Sequence, residues 1–106
     1  MNDAVLDPDL MRATATGVVD KLKVLANPDR LLLLCQLSQG ERCVSDLEQT
    51  LDIRQPTLSQ QLGVLRTENV VETRREGKYV YYRVADQKLL KVLITLYDLY
   101  CPKEQS

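Results

Sequence analysis

Histidine is absent from this 106-residue chain. A Ser or Cys nucleophile therefore has no imidazole to act as its base, and the commonest ligand for zinc, nickel or cobalt is missing. Glycine is scarce, at four residues, with no glycine-rich phosphate loop, and no Cys-x-x-Cys motif occurs. These absences argue against an enzyme and against a bound cofactor or metal. Long apolar runs are missing too: the longest is Leu31 to Cys35, far below the roughly 20 residues of a spanning helix. No membrane association is expected. The opening Met1-Asn2-Asp3 has no basic segment leading into an apolar stretch, so it does not read as a secretory signal, and a cytoplasmic location is expected. Cysteines number three. An odd count in a reducing compartment argues against a disulfide framework and leaves redox chemistry, metal binding or packing. There is no excess of positive charge, with 14 basic against 15 acidic residues and a net charge of −1. Any nucleic-acid surface must be local.

What is present suits one folded domain over residues 1–106. Hydrophobic residues at 44% and charged residues at 27% are an ordinary globular balance, and the length allows a single modest core. Leu10, Ala13, Gly17, Val18, Leu22 and Leu25 recur at helical spacing, which predicts a first amphipathic helix from Pro8 to Ala26. Asn27 suits an N-cap and Pro28 a first turn, so a second helix is expected from Pro28 to Gln39, with Gly40 as its C-cap. Ser45 and Glu48 have capping-box spacing, predicting a short third helix that carries Leu47 and Leu51 and stops near Asp52. Pro56 marks the first turn of a fourth helix, whose buried stripe is Leu58, Leu62 and Leu65. Val70 to Arg75 and Tyr79 to Val84 read as two strands joined at Glu76-Gly77-Lys78. A fifth helix from Asp86 to Tyr100 is apolar nearly all round and needs more cover than one subunit supplies, which predicts a homodimer. Only the first eight residues and Lys103 to Ser106 look loose.

The fold class expected is thus mainly α with a small β-hairpin: four helices, two strands and a last helix, a winged helix-turn-helix. Two short helices joined by Asp52-Ile53-Arg54 and followed by a basic hairpin form the order of a DNA-reading unit. The recognition helix spans about 55–67 and the wing about 70–84. Gln55, Thr57, Ser59, Gln60 and Gln61 offer hydroxyls and amides for base edges and phosphates. Arg66, Arg74, Arg75 and Lys78 concentrate positive charge beside them. A pure protein-interaction module is the competing class; it would show no salt-dependent DNA binding.

Leu25-Ala26-Asn27-Pro28-Asp29-Arg30-Leu31, Val44-Ser45-Asp46-Leu47 and Gln55-Pro56-Thr57-Leu58-Ser59-Gln60-Gln61-Leu62-Gly63-Val64-Leu65-Arg66 together resemble the ArsR/SmtB winged-helix repressors. The likeness covers essentially the whole chain. It implies a dimer built on the first and last helices, about 9–26 and 86–100, that occupies a dyad-symmetric double-stranded operator.

Many members of that family sense metals. Without histidine, the His-containing sites of relatives on the last helix cannot be built, and the Cys-Val-Cys of arsenite-type relatives is here Cys43-Val44-Ser45, one thiolate short. Within the family the chain looks most like the sulfide-responsive repressors of the BigR/SqrR type, which carry one cysteine on the second helix and one at the end of the last. Cys35 and Cys101 match those positions. The resemblance implies that persulfides or oxidants convert this pair to a di- or polysulfide bridge and release the operator. Cys43 is read as a packing residue. The alternative is a sensor of arsenite or another thiophilic metal using Cys35, Cys43 and Cys101 in some combination.

Overall fold

A computed structural model describes residues 7–101. Three of its helices open on a short polar side chain that accepts a free backbone N–H. Helix α1 (Pro8–Leu25) starts where Asp7 accepts from the Asp9 amide at 2.9 Å. Helix α2 (Pro28–Leu37) starts where Asn27 Oδ1 accepts from the Arg30 amide at 3.0 Å, with Pro28 in the first turn as expected. The last helix, α5 (Gln87–Tyr100), starts where Asp86 Oδ1 accepts from Lys88 and Leu89. Those bonds, the Leu89 amide foremost, hold the Asp86 carboxyl below the usual carboxylate range. Lys21 reaches Asp86 at 3.6 Å, joining α1 to the start of α5. Asp7 and Pro8, expected to be loose, are a cap and a first helical residue; residues 1–6 and 103–106 of that expectation lie outside the described residues.

Two helix boundaries differ from the expectation. Helix α2 ends at Leu37, capped by Ser38 rather than Gly40, because the Ser38 hydroxyl takes the Cys35 carbonyl at 2.6 Å. Helix α3 (Val44–Leu51) begins before Ser45, with Cys43 at the cap position and no side-chain cap bond, so the expected capping box does not form. The cause lies in the sheet. Arg42–Cys43 forms a short strand, β1, that pairs antiparallel with β3 (Tyr79–Val84), Arg42 opposite Tyr82 and Cys43 opposite Tyr81. This pairing fixes Cys43 in extended backbone and starts α3 immediately after it.

The two-stranded hairpin is therefore corrected to a three-stranded sheet of order β1-β3-β2, with β2 at Val71–Glu76. Register runs from Val71 opposite Val84 to Glu76 opposite Tyr79. Gly77 takes φ +62° in the turn, as its expected role requires. Helix α4 (Thr57–Thr67) follows the turn after α3, and Asp52 closes α3 in left-handed backbone at φ 54°.

The core sits where α2, α3 and α4 meet the sheet and the inner face of α5. Leu33, Leu34, Leu47, Leu58, Leu65 and Leu93 have no exposed surface. Replacing Leu34 by Ala leaves a cavity among them and should cost about 2–5 kcal/mol of stability, read as a lowered urea midpoint with unchanged slope; a loss below ~1 kcal/mol would contradict this packing. The outer helices differ. Along all of α1 only Val24 and Leu25 are buried, and along α5 only Leu89 and Leu93. Leu10, Val18, Leu22, Val92, Leu99 and Tyr100 are exposed.

Candidate DNA interface and thiol pair

Buried Leu58, Leu62 and Leu65 anchor α4, and the opposite side of that helix stays exposed. Of the polar residues expected to read DNA, Ser59, Gln60 and Arg66 lie on the exposed side, while Thr57 and Gln61 are half-buried. Pro56 is the residue before the helix rather than within its first turn, which leaves Gln55 outside it. Gln55 Oε1 accepts from the Ser59 amide at 3.0 Å and the Ser59 hydroxyl at 2.7 Å, so it serves as a side-chain cap for α4. Gln61 points to the margin of the core, where its Oε1 accepts from Arg30 Nη1 at 3.0 Å.

The wing cations divide in the same way. Arg74 is held by a fork of bonds to Glu41, Nε at 2.9 Å from both carboxylate oxygens and Nη2 at 2.8 Å from one, and by Glu76 at 3.2 Å. Its guanidinium also stacks 4.5 Å above the Tyr81 ring. Arg74 in turn pulls the Glu41 carboxyl below its ordinary range, mainly through the hydrogen bonds. Two carboxylates around one guanidinium leave this cluster negative. Arg83 is likewise engaged by Glu72. Arg75 and Lys78 are exposed; among the described residues Arg75 has no ion pair, and Lys78 meets only the Tyr79 ring, at 5.7 Å. Sequence reasoning overlooked Arg54, an exposed cation in the turn before α4, whose signal was its place next to Gln55. It also gave no role to Glu41, which no local pattern marks, or to Arg30, quoted only as part of the family-like segment Leu25 to Leu31.

Cys35 lies in the buried face of α2, 9% exposed, and Cys101 ends α5, half-exposed. Both are free thiols. Helix α2 packs on α5, which brings these sequence-distant residues within electrostatic reach. Burial first, and then the nearby Cys101, push the Cys35 thiol above its ordinary range. Cys43 belongs elsewhere. It is buried, donates from Sγ to Asp46 Oδ2 at 3.2 Å, and meets the Ser45 hydroxyl at 3.2 Å.

Comparison with known proteins places the chain in a family. The family described as bacterial regulatory protein, arsR family, matches residues 27–73, from the α2 cap into β2. The biofilm growth-associated repressor of Agrobacterium fabrum is 52% identical over 96 residues, which span 91% of this chain and 82% of that protein. Among solved structures, the transcriptional repressor BigR from Xylella fastidiosa superposes with a TM-score of 0.81 at 44% identity, covering 92% of this chain and 100% of that one. Reduced HlyU from Vibrio cholerae superposes with a TM-score of 0.82 at 35% identity, covering 87% of this chain and 97% of its own. With a helix-turn-helix, a winged sheet and this degree of identity along nine-tenths of its length, the chain belongs to the ArsR/SmtB family of winged-helix transcriptional repressors.

Proposed function

We propose that the chain is a homodimeric repressor that grips double-stranded operator DNA and releases it when reactive sulfur species or oxidants bridge Cys35 and Cys101. The observation that carries this reading is that α2 packs on α5 while each contributes one free thiol, Cys35 within α2 and Cys101 at the end of α5.

Helix α4 enters the major groove, with Gln60, Ser59 and Thr57 toward base edges and Arg66 toward the backbone, while Arg75 and Lys78 at the wing contact phosphates. Arg54 adds charge at the start of α4, and Arg74 adds less because Glu41 and Glu76 already surround it. Dimerisation uses α1 and α5. An 18-residue helix with two buried residues is held only marginally by its own chain. Val18, Leu22, Leu25, Leu89 and Val92 border an apolar groove between the two helices, which a second copy would fill.

Cys101, the more exposed thiol, reacts first. It attacks the outer sulfur of an organic persulfide, which leaves as a thiol; Cys35 then displaces hydrosulfide and closes a disulfide. An organic trisulfide instead leaves as two thiols and places one sulfur between the cysteines, a longer bridge that tolerates wider separation than the roughly 7 Å Cα limit of a disulfide. Either bridge ties α2, on the DNA-reading side, to the end of a dimer helix, and shifts the spacing of the two α4 helices against the groove repeat.

The test is mass spectrometry of reduced protein after persulfide, trisulfide, peroxide and arsenite exposure, with DNA affinity measured on the same samples. A bridge linking Cys35 to Cys101, accompanied by release, is expected. Tight stoichiometric arsenite binding with release, and no bridge, would sink the sulfur reading.

A further inference from the structure

Helices α1 and α4 face each other across an open groove bordered by Asp20, Lys23, Val64 and Glu68, and one side chain spans it. Arg30, half-buried near the start of α2, donates from Nε to the Val24 carbonyl at 2.8 Å and from Nη2 to the Lys23 carbonyl at 3.3 Å. These carbonyls belong to the last turn of α1, where intrahelical donors run out and the helix dipole is negative. From Nη1 the same guanidinium donates to Gln61 Oε1 in the middle of α4. Its backbone N–H is meanwhile fixed by the Asn27 cap. A planar guanidinium can serve three acceptors on two helices at set angles; an ammonium on a flexible stem cannot.

Gln61 stands three positions after Leu58 and four before Leu65, next to the buried stripe. A glutamine there is drawn inward, away from the exposed side that carries Ser59 and Gln60. We infer that Arg30 is a positioning residue: through Gln61 it sets the angle of α4 against the C-terminal end of α1, so that Gln61 acts in DNA binding as the acceptor of a strut rather than as a base reader. The inference rests on α4 being the DNA helix. It deepens that reading by linking the DNA helix to the helix proposed to carry the dimer, because the two α4 helices can match a groove repeat of about 34 Å only if each is held at a fixed angle to α1.

The experiment compares Gln61→Ala, Gln61→Glu, Arg30→Lys, Arg30→Ala and the Arg30→Ala/Gln61→Ala pair. Binding is measured to a duplex from the chain's own upstream region and to a random duplex of equal length, with thermal unfolding and amide exchange over residues 57–67 on the same samples. Gln61→Ala should weaken specific binding about tenfold and leave random-duplex binding within about twofold, because phosphate attraction survives while register is lost. Arg30→Lys should be as weak as Arg30→Ala. The double substitution should be no weaker than Arg30→Ala alone, the signature of one shared interaction. Gln61→Glu keeps an acceptor for Arg30 and should retain specific binding within about threefold.

Multiplicative effects in the double variant, or a Gln61→Glu protein weaker than Gln61→Ala, would overturn the strut. If Arg30→Ala fails to fold, the two Gln61 variants decide alone. Absence of salt-dependent binding by the unsubstituted protein would remove the DNA reading, and amide exchange would then judge the strut separately. Faster exchange across α4 in Gln61→Ala at unchanged melting temperature supports it; unchanged exchange overturns it.

Discussion

Proteins carrying Cys35→Ser or Cys101→Ser should remain on operator DNA after persulfide treatment that strips the unsubstituted repressor from it. Neither single thiol can close the bridge, and an unbridged persulfide on Cys101 does not tie α2 to α5. Allosteric couplings of about 1–3 kcal/mol correspond to a loss of about 5- to 150-fold in affinity, and release of the unsubstituted protein is expected in that range. Cys43→Ser should respond as the unsubstituted protein does, since its sulfur is engaged by Asp46 and Ser45. The two thiols of the proposed bridge should also differ toward an alkylating reagent. Cys35 is buried and held protonated above the ordinary thiol range, so its labelling should lag that of the more exposed Cys101 near neutral pH and quicken as pH rises into and beyond that range. Removing Cys101 deletes the smaller of the two causes that raise Cys35, and should speed its labelling at a given pH. Release of the Cys35→Ser protein as readily as the unsubstituted one would end the bridge mechanism.

The double variant Arg75→Ala/Lys78→Ala should lose DNA affinity by about 30-fold or more near physiological salt, on any sequence. Two cations per protomer become four per dimer, and each phosphate contact contributes about 0.9 to the slope of log affinity against log salt. The slope should therefore fall by about 3 to 4. Arg74→Ala should cost far less, within about threefold. Its guanidinium already faces Glu41 and Glu76, so most of its field is spent inside the wing and what its removal loosens is chiefly the Tyr81 stack. A salt slope unchanged in the double variant would show that the wing does not touch phosphate.

Much of this architecture was legible from residue order because its signals are local. Asn27-Pro28 announces α2, the leucine spacing of α4 announces a buried stripe, and Gly77 supplies a turn with positive φ. Some misses were local, such as the end of α2 set by the Ser38 hydroxyl on the Cys35 carbonyl; the others are settled by a partner distant in sequence. Two residues, Arg42 and Cys43, cannot declare themselves a strand; only β3 makes them one, and in doing so displaces the cap from Ser45. Gln61 and Arg74, expected to meet DNA, also bond Arg30 and Glu41, respectively 31 and 33 positions away, and those intramolecular partners were not legible from local sequence. The thiol pair was reached through family likeness, since neither Cys35 in a leucine run nor Cys101 after a helix marks the other.

Among the described residues, the sheet order β1-β3-β2 leaves β2 with an unpaired outer edge. Free strand edges invite a second chain to add on, the first step toward aggregation. From Glu72 to Glu76 that edge carries a carboxylate at each end and the two guanidiniums of Arg74 and Arg75 between them, beside Thr73. A neighbouring β2 arriving in antiparallel or parallel fashion would have to desolvate several of these charges without assured partners. Glu76, one of the two carboxylates that mute Arg74, thus also guards the strand edge, whether or not DNA is present. Charges along this edge would discourage the wing of one copy from adding to that of another when no DNA covers it.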